Sequence, residues 1–258
     1  MISLLRVWAI ATNTVREAIR NKLLYTLLFF AIAMIATGVL VSTLSYVERE
    51  RILQDVGLSA LRLFSIGIAV FVGVGLIHGE VDRRTIYTIL SKPVSRAEFL
   101  VGKYVGLVLT TWLMLGIMSA AFAAVSLGYG APVDSGHAAA LLLTGVEILL
   151  MVAVATLFSA FTTPMLASLF TVGIYVLGHL TRDLYELGSQ ARSEGVDLLA
   201  TFLYRVLPDL ESFNLTIQAV HGLEIAASEI WWPVLYGLLY STALMLIATV
   251  IFKRRDFR

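Results

Sequence analysis

The chain has 258 residues, 59% of them apolar and only 14% charged, whereas a soluble domain is nearer half apolar and a quarter charged. The apolar excess collects in long runs, which points to membrane helices rather than to one large soluble core. A net charge of +1 gives no electrostatic basis for nucleic-acid binding, and the absence of cysteine removes disulfides, thiolate nucleophiles and Cys-ligated zinc together.

In chain order, residues 1–22 come first. On a helical wheel Leu4, Trp8, Ala11, Val15, Ala18 and Ile19 fall in one stripe, opposite Arg6, Asn13, Arg16, Glu17 and Arg20. This suits an amphipathic helix lying in the membrane interface with its arginines at the headgroups; the alternative is an extension of the first span. Six apolar runs follow as candidate spans, at 23–41, 58–77, 100–127, 138–161, 165–180 and 231–252, the fifth being the shortest. The first is too long for a signal-peptide apolar region and has no small-residue cleavage site after it, so it is expected to be retained. The expected fold class is all-α: a polytopic membrane protein with six transmembrane helices in a single domain over 1–258.

Lys and Arg favour the cytoplasmic side of a membrane. With the N-terminus inside, thirteen of the nineteen basic residues fall on inner segments, and twelve acidic residues fall outside against five inside. Both termini are therefore expected in the cytoplasm, together with the polar block between the second and third runs.

That block reads "GEVDRRTIYTILSKPVSRAEFLVGKYVG" over 79–106 and concentrates Glu80, Asp82, Arg83, Arg84, Lys92, Arg96, Glu98 and Lys103. Ile86, Ile89 and Leu90 share one helical face and Arg84, Thr85 and Thr88 the other, which gives a short amphipathic helix. Pro93 stops it. Ser95 and Glu98 then have the spacing of a capping box, with Val94 and Phe99 placed as a hydrophobic staple, directly before the third run.

The block closely resembles the loop between the second and third spans of ABC-2-type transporter permeases. Glu80, Thr85, Pro93, Ser95, Arg96, Gly102 and Lys103 match that pattern. "LPDLESFN" at 207–214, "FKRRDF" at 252–257 and "REAIRNKLLY" at 16–25 are similar to further family segments, so the resemblance covers nearly the whole chain.

The resemblance implies six spans, an N-terminal interfacial helix over 1–22, and a cytoplasmic coupling helix within 79–99. That helix would dock on a separate ATP-binding cassette subunit carrying ATP and Mg; no cofactor is expected on this chain, whose Gly102-Lys103 does not complete a phosphate loop. The coupling interface implied comprises Glu80, Arg83, Arg84, Thr85, Pro93, Ser95, Arg96, Glu98 and Lys103. "FTTP" at 161–164 would be a second, uncharged contact. A working transporter needs a second permease copy or a paralogue. The setting implied is the cell (inner) membrane of a prokaryote, where the Asn214-Leu215-Thr216 sequon carries no weight. Related permeases serve lipids, peptides, drugs, polysaccharides, motility machinery or the maturation of nitrous-oxide reductase, the last being the system whose permease this chain is most readily compared with.

Within the spans Glu147 is the single acid. An ionised carboxylate there costs about 2.5–3.5 kcal/mol on insertion scales, so it is expected to face protein or water, with Arg62 as its candidate partner. His78, His137, His179 and His221 lack metal-ligand spacing and are read as interfacial polar caps, so no metal site is expected. Gly75-x-x-x-Gly79 and Gly102-x-x-x-Gly106 have the spacing of close helix contacts. Trp231, Trp232 and Tyr236 resemble an interface belt. Residues 182–230 form the expected extracytoplasmic segment, with 196–207 suited to a re-entrant or interfacial helix and room for an extracytoplasmic accessory protein. The function expected is the permease of an ATP-driven exporter. The alternatives are an ATP-independent ion-coupled carrier and an intramembrane enzyme, the second disfavoured by the lack of paired catalytic groups.

Overall fold

A computed structural model describes residues 3–44, 48–76, 95–190 and 194–254. It is all-helical, with no strand among the described residues. Helix α1 is Leu4–Ile19 and α2 is Lys22–Ser42; α3 is Arg49–Gly67 and continues through a π-turn at Ile68–Val72 to Leu76. Then come α4 (Arg96–Gly128), α5 (Ser135–Ser159), α6 (Pro164–His179), α7 (Thr181–Ser189) and α8 (Glu194–Val206). A 3₁₀ turn at Glu211–Phe213 and α9 (Thr216–His221) lead into α10 (Ala227–Arg254).

Five helices are long and apolar enough to cross a membrane: α2, α3 with its extension, α4, α5 and α10. Helices α6 and α7 make a sixth crossing if the pair, bent by 58°, counts as one span. The helix carrying the run 58–77 begins well before it, at Arg49, because its first turns are amphipathic and bury Leu53 and Gln54. Gln54 Nε2 donates to the Pro132 carbonyl at 2.8 Å, so this outer extension ties α3 to the loop between α4 and α5. That loop ends in a cap on which Asp134 Oδ1 accepts from the Gly136 and His137 N–H groups, and the His137 ring beside it holds the Asp134 carboxyl below its usual range.

The centre of the bundle is α5. Its sequence is apolar on every side, and a helix of that kind is stable only when surrounded. Leu143, Ile148, Leu150, Met151, Val152 and Ala153 are fully buried. By contrast α2, α6 and α10 present Phe29, Leu40, Leu169 and Leu246 outward, as helices bordering lipid do. Below the π-turn, Val74 of the α3 extension packs on Ala155 of α5 and Ala167 of α6.

Helix α1 packs along the first turns of α4 in the same direction. The stripe expected on α1 divides: Ala11 and Ala18 are buried, together with Thr14 from outside the stripe, while Leu4, Trp8 and Ile19 remain exposed. Close approach decides which face turns inward. A Cβ on Gly102 would lie 2.7 Å from Ile10 Cβ, and one on Gly106 would lie 2.6 Å from Thr14 Cβ and 2.7 Å from the Ala11 carbonyl. The small-residue spacing in α4 is thus filled by the backbone and short side chains of α1. The other pair differs: Gly75 has nothing near it, and Gly79 lies outside the described residues.

Gly106→Leu is expected to force α1 off α4, with an overpacking cost of about 1–3 kcal/mol. Gly116→Ala, in open space on the same helix, should leave stability unchanged or raise it slightly. Thermal unfolding of both purified variants in detergent compares the two.

Candidate functional site

The expected coupling residues divide at Ser95. Glu80, Arg83, Arg84, Thr85 and Pro93 lie outside the described residues, as do His78 and Val94 of the staple. From Ser95 onward the side chains are bound into the fold. Ser95 is the N-cap of α4, with its Oγ accepting from the Glu98 N–H at 3.2 Å and Glu98 Oε2 accepting from the Ser95 N–H at 2.7 Å. Glu98 also reaches a second chain segment, since its Oε1 accepts from the Ser3 N–H at 2.8 Å, and Arg6 Nη1 stands 3.8 Å from Oε2. The carboxylate is 1% exposed, and hydrogen bonds of this charge-assisted kind are roughly twice as strong as neutral ones.

Lys103 is equally buried and donates to Glu17 Oε2 at 3.0 Å, near the far end of α1. Arg96 turns the other way. Its Nη1 donates to the Phe252 and Lys253 carbonyls at 3.4 and 3.3 Å, at the last turn of α10, where Phe99 stacks on Phe252 with ring centroids 6.1 Å apart. The start of α4 is therefore a junction. Glu98 and Lys103 hold α1 there, and Arg96 and Phe99 hold the end of α10.

A second polar site sits within the bundle. Arg62 of α3 donates through Nε to Glu147 Oε2 of α5 at 2.8 Å. Its Nη2 contacts His179 Nε2 at 2.7 Å and donates to the Leu210 carbonyl at 3.3 Å. His179 Nδ1 lies 2.8 Å from the Tyr175 carbonyl, an acceptor only, so Nδ1 carries the ring proton and Nε2 accepts from Arg62. With that lone pair used, the 3.4 Å approach of His179 Nε2 to Glu147 Oε1 adds no hydrogen bond, and Oε1 has no partner among the described residues.

One guanidinium thus joins α3, α5, the end of α6 and the segment before α10. The last of these is fixed again by the Leu210 N–H donating to the Gly178 carbonyl at 3.0 Å and by Arg182 bound to Asp209 at 2.7 Å. A polar cavity of about 270 Å³, lined by Asp55, Ser59, Tyr175 and Asn214, opens beside Arg62. The pairing of Arg62 with Glu147 had a signal in the sequence, two opposite charges in neighbouring spans. His179 gave less: a histidine at the end of an apolar run reads as an interfacial cap. The Leu210 carbonyl is backbone and has no residue signature at all.

A family model for ABC-2 family transporter proteins matches residues 8–257. The chain belongs to the ABC-2 transporter family. The comparison with curated proteins returned no match. The ABC-2 assignment makes this a multi-pass membrane permease, the membrane component of an ABC transporter and not its catalytic subunit. In that family frame the two sites have different characters: the α4 junction is an assembly of helix ends, while the Arg62 cluster is a packed ionic centre between helices of the bundle. The expected residues Glu147 and Arg62 meet in the second; Ser95, Arg96, Glu98 and Lys103 meet in the first. No group of His, Asp and Glu side chains able to hold a metal occurs among the described residues.

Removing one member of a buried ion pair leaves the other uncompensated and costs about 3–5 kcal/mol, whereas replacing both by apolar groups often costs far less. Arg62→Met and Glu147→Met are each expected to destabilise the permease by that amount, and the double variant by less than either. A double-mutant cycle of unfolding free energies in detergent checks this; additive losses would show that the two side chains do not act as a pair. Glu98→Ala should free the N-terminus, so that limited proteolysis cuts before α2 in the variant and spares the parent.

Proposed function

We propose that this chain is the permease half of an ATP-driven exporter, working as a homodimer or with a paralogue and energised by a separate ATP-binding cassette subunit. The observation that carries the reading is the family match along 8–257 together with the polar block 79–99, which enters α4 at its junction with α1 and α10. A push delivered to the block would reach α4 at its capped first turn. From there it would pass to α1 through Glu98 and Lys103 and to α10 through Arg96. ATP and Mg belong on the partner subunit in this reading.

The topology proposed has six spans, the sixth crossing being the bent α6–α7 pair, with both termini in the cytoplasm of a prokaryotic cell and the cell (inner) membrane as its location. The charge bias of the loops supports that orientation. Helix α1 lies at the inner interface in this arrangement, with exposed Leu4, Leu5 and Trp8 beside Arg6, Arg16 and Arg20. Glu80, Arg83, Arg84, Thr85 and Pro93 are the residues proposed to touch the ATPase, while Ser95, Arg96, Glu98 and Lys103 act as positioning residues behind them. The outer stretch 182–230 is where an extracytoplasmic accessory protein would bind. The likeness to permeases of nitrous-oxide-reductase maturation rests on sequence motifs and names one cargo class to assay.

The Arg62–Glu147–His179 cluster is the observation that favours the second reading, an ion-coupled carrier, because intramembrane ionisable groups commonly mark ion paths. The three hydrogen bonds that Arg62 makes through Nε and Nη2 argue against free exchange of an ion there.

Co-expression with an ATP-binding cassette subunit from the same genome and affinity purification tests the first reading. The ATPase is expected to co-purify with the parent chain and to be lost on Arg84→Glu; a reporter at Lys92 should register the cytoplasm. Transport that persists without the ATPase and collapses with the proton gradient would establish the carrier instead.

A further inference from the structure

A cleft of about 810 Å³ lies between α8, the 207–214 segment and the start of α10, a size common among small-molecule sites. Its charges are of both signs. Arg182 and Asp209 neutralise each other through two hydrogen bonds of 3.0 and 2.7 Å, which leaves the charges of Arg205, Glu229 and Glu211 unbalanced, Glu211 Oε1 accepting only from the neutral Asn214 amide at 2.9 Å. Arg205 and Glu229 are exposed and their side chains have no partner among the described residues. One cation and two anions do not suit a simple anion; they suit a molecule carrying a phosphate and an amine together.

The shape of the wall narrows the choice. Trp232, Tyr236 and Tyr240 line the cleft from one face of α10, so an aromatic strip descends about 12 Å along the helix from the Glu229 end. Tyr236 and Tyr240 are locked in place, the first accepting from the Asp209 N–H at 3.1 Å and the second donating to the Val206 carbonyl at 2.9 Å. Trp232 is 69% exposed at the end of this span, where aromatic residues mark the headgroup level of a bilayer. The cleft thus combines charges of both signs, Glu229 at the start of α10 and Arg205 next to the Val206 carbonyl that Tyr240 binds, with an aromatic strip along a helix long and apolar enough to cross the membrane. Aromatic faces also attract ammonium groups directly.

We propose that this cleft binds the zwitterionic headgroup of an amine-bearing phospholipid. The phosphate faces Arg205, the ammonium faces Glu229, Glu211 and the aromatic strip, and the acyl chains pass down α10. The assignment rests on α10 crossing a bilayer and not on coupling to an ATPase, so binding is read on the purified permease alone.

The test is native mass spectrometry of the delipidated full chain in detergent, mixed with phosphatidylethanolamine or phosphatidylglycerol of identical acyl chains. One phosphatidylethanolamine per chain should be retained, about tenfold in preference to phosphatidylglycerol, and Arg205→Gln or Glu229→Gln should each lower retention by about tenfold, as loss of one charge-assisted contact does. Both positions are exposed, so the variants are expected to fold; Trp232→Ala should weaken phosphatidylethanolamine alone, and Glu224→Gln, exposed outside the cleft lining, should change nothing. Equal retention of the two lipids, or unchanged retention in both charge variants, would overturn the proposal. Displacement of the lipid by an equal concentration of water-soluble glycerophosphoethanolamine would overturn the lipid assignment in favour of a soluble ligand.

Discussion

Backbone and side-chain polar groups in a hydrocarbon layer find no water, so a charge held there depends on partners within the protein itself. In this permease that constraint meets its hardest case at Arg62, whose guanidinium is buried between helices and bound through Nε and Nη2. Glu147 balances its charge, and His179 and the Leu210 carbonyl take up further donors. The arrangement dictates much of what surrounds it. Helix α6 must end where His179 can reach inward, the chain must bend 58° into α7, and the segment 207–214 must fold back so that a carbonyl is available. Buried ionic groups of this kind add little net stability compared with an apolar core of the same volume. Their effect is to make wrong packings expensive, because any shift of α3, α5 or α6 strands a charge.

The start of α4 solves a different problem, joining helix ends that come from opposite extremes of the sequence. Glu98 serves as the N3 residue of its own helix cap and as the acceptor for the Ser3 N–H, while Arg96 reaches the last carbonyls of α10. Lys103, buried against Glu17, adds a second fastening to α1. The fastening is chemical at these points and steric between them, where Gly102 and Gly106 let the α1 backbone come close.

What the sequence makes legible follows from which interactions leave a residue-type signal. Apolar runs announce their helices because lipid contact demands them, and the Ser95–Glu98 spacing announces a cap because few other geometries use that pair. Opposite charges at Arg62 and Glu147 invite a partnership. The inward face of α1 is less visible, since a wheel weights large apolar side chains while close packing selects Ala11, Thr14 and Ala18. Helix α3 reaches back to Arg49 through turns that are polar in composition but tied down by Gln54, which no run of hydropathy records. His179 is ambiguous by position, and the Leu210 carbonyl is invisible because every residue has one.

The π-turn at Ile68–Val72 has a geometric outcome along α3. In a regular helix each residue advances the side-chain direction by about 100°, so Val74, twelve residues after Arg62, would point about 120° away from it. A π-turn absorbs one extra residue, which brings the two directions to within about 20°. Arg62 and Val74 accordingly address the same two neighbours, the first meeting Glu147 and His179, the second Ala155 and Ala167. A single helix thereby keeps one azimuth toward α5 and α6 over its whole depth, ionic near one end and close-packed with alanines near the other. Converting that one turn to ordinary α-helical winding would rotate the lower half of α3 like a key while its upper half stayed locked.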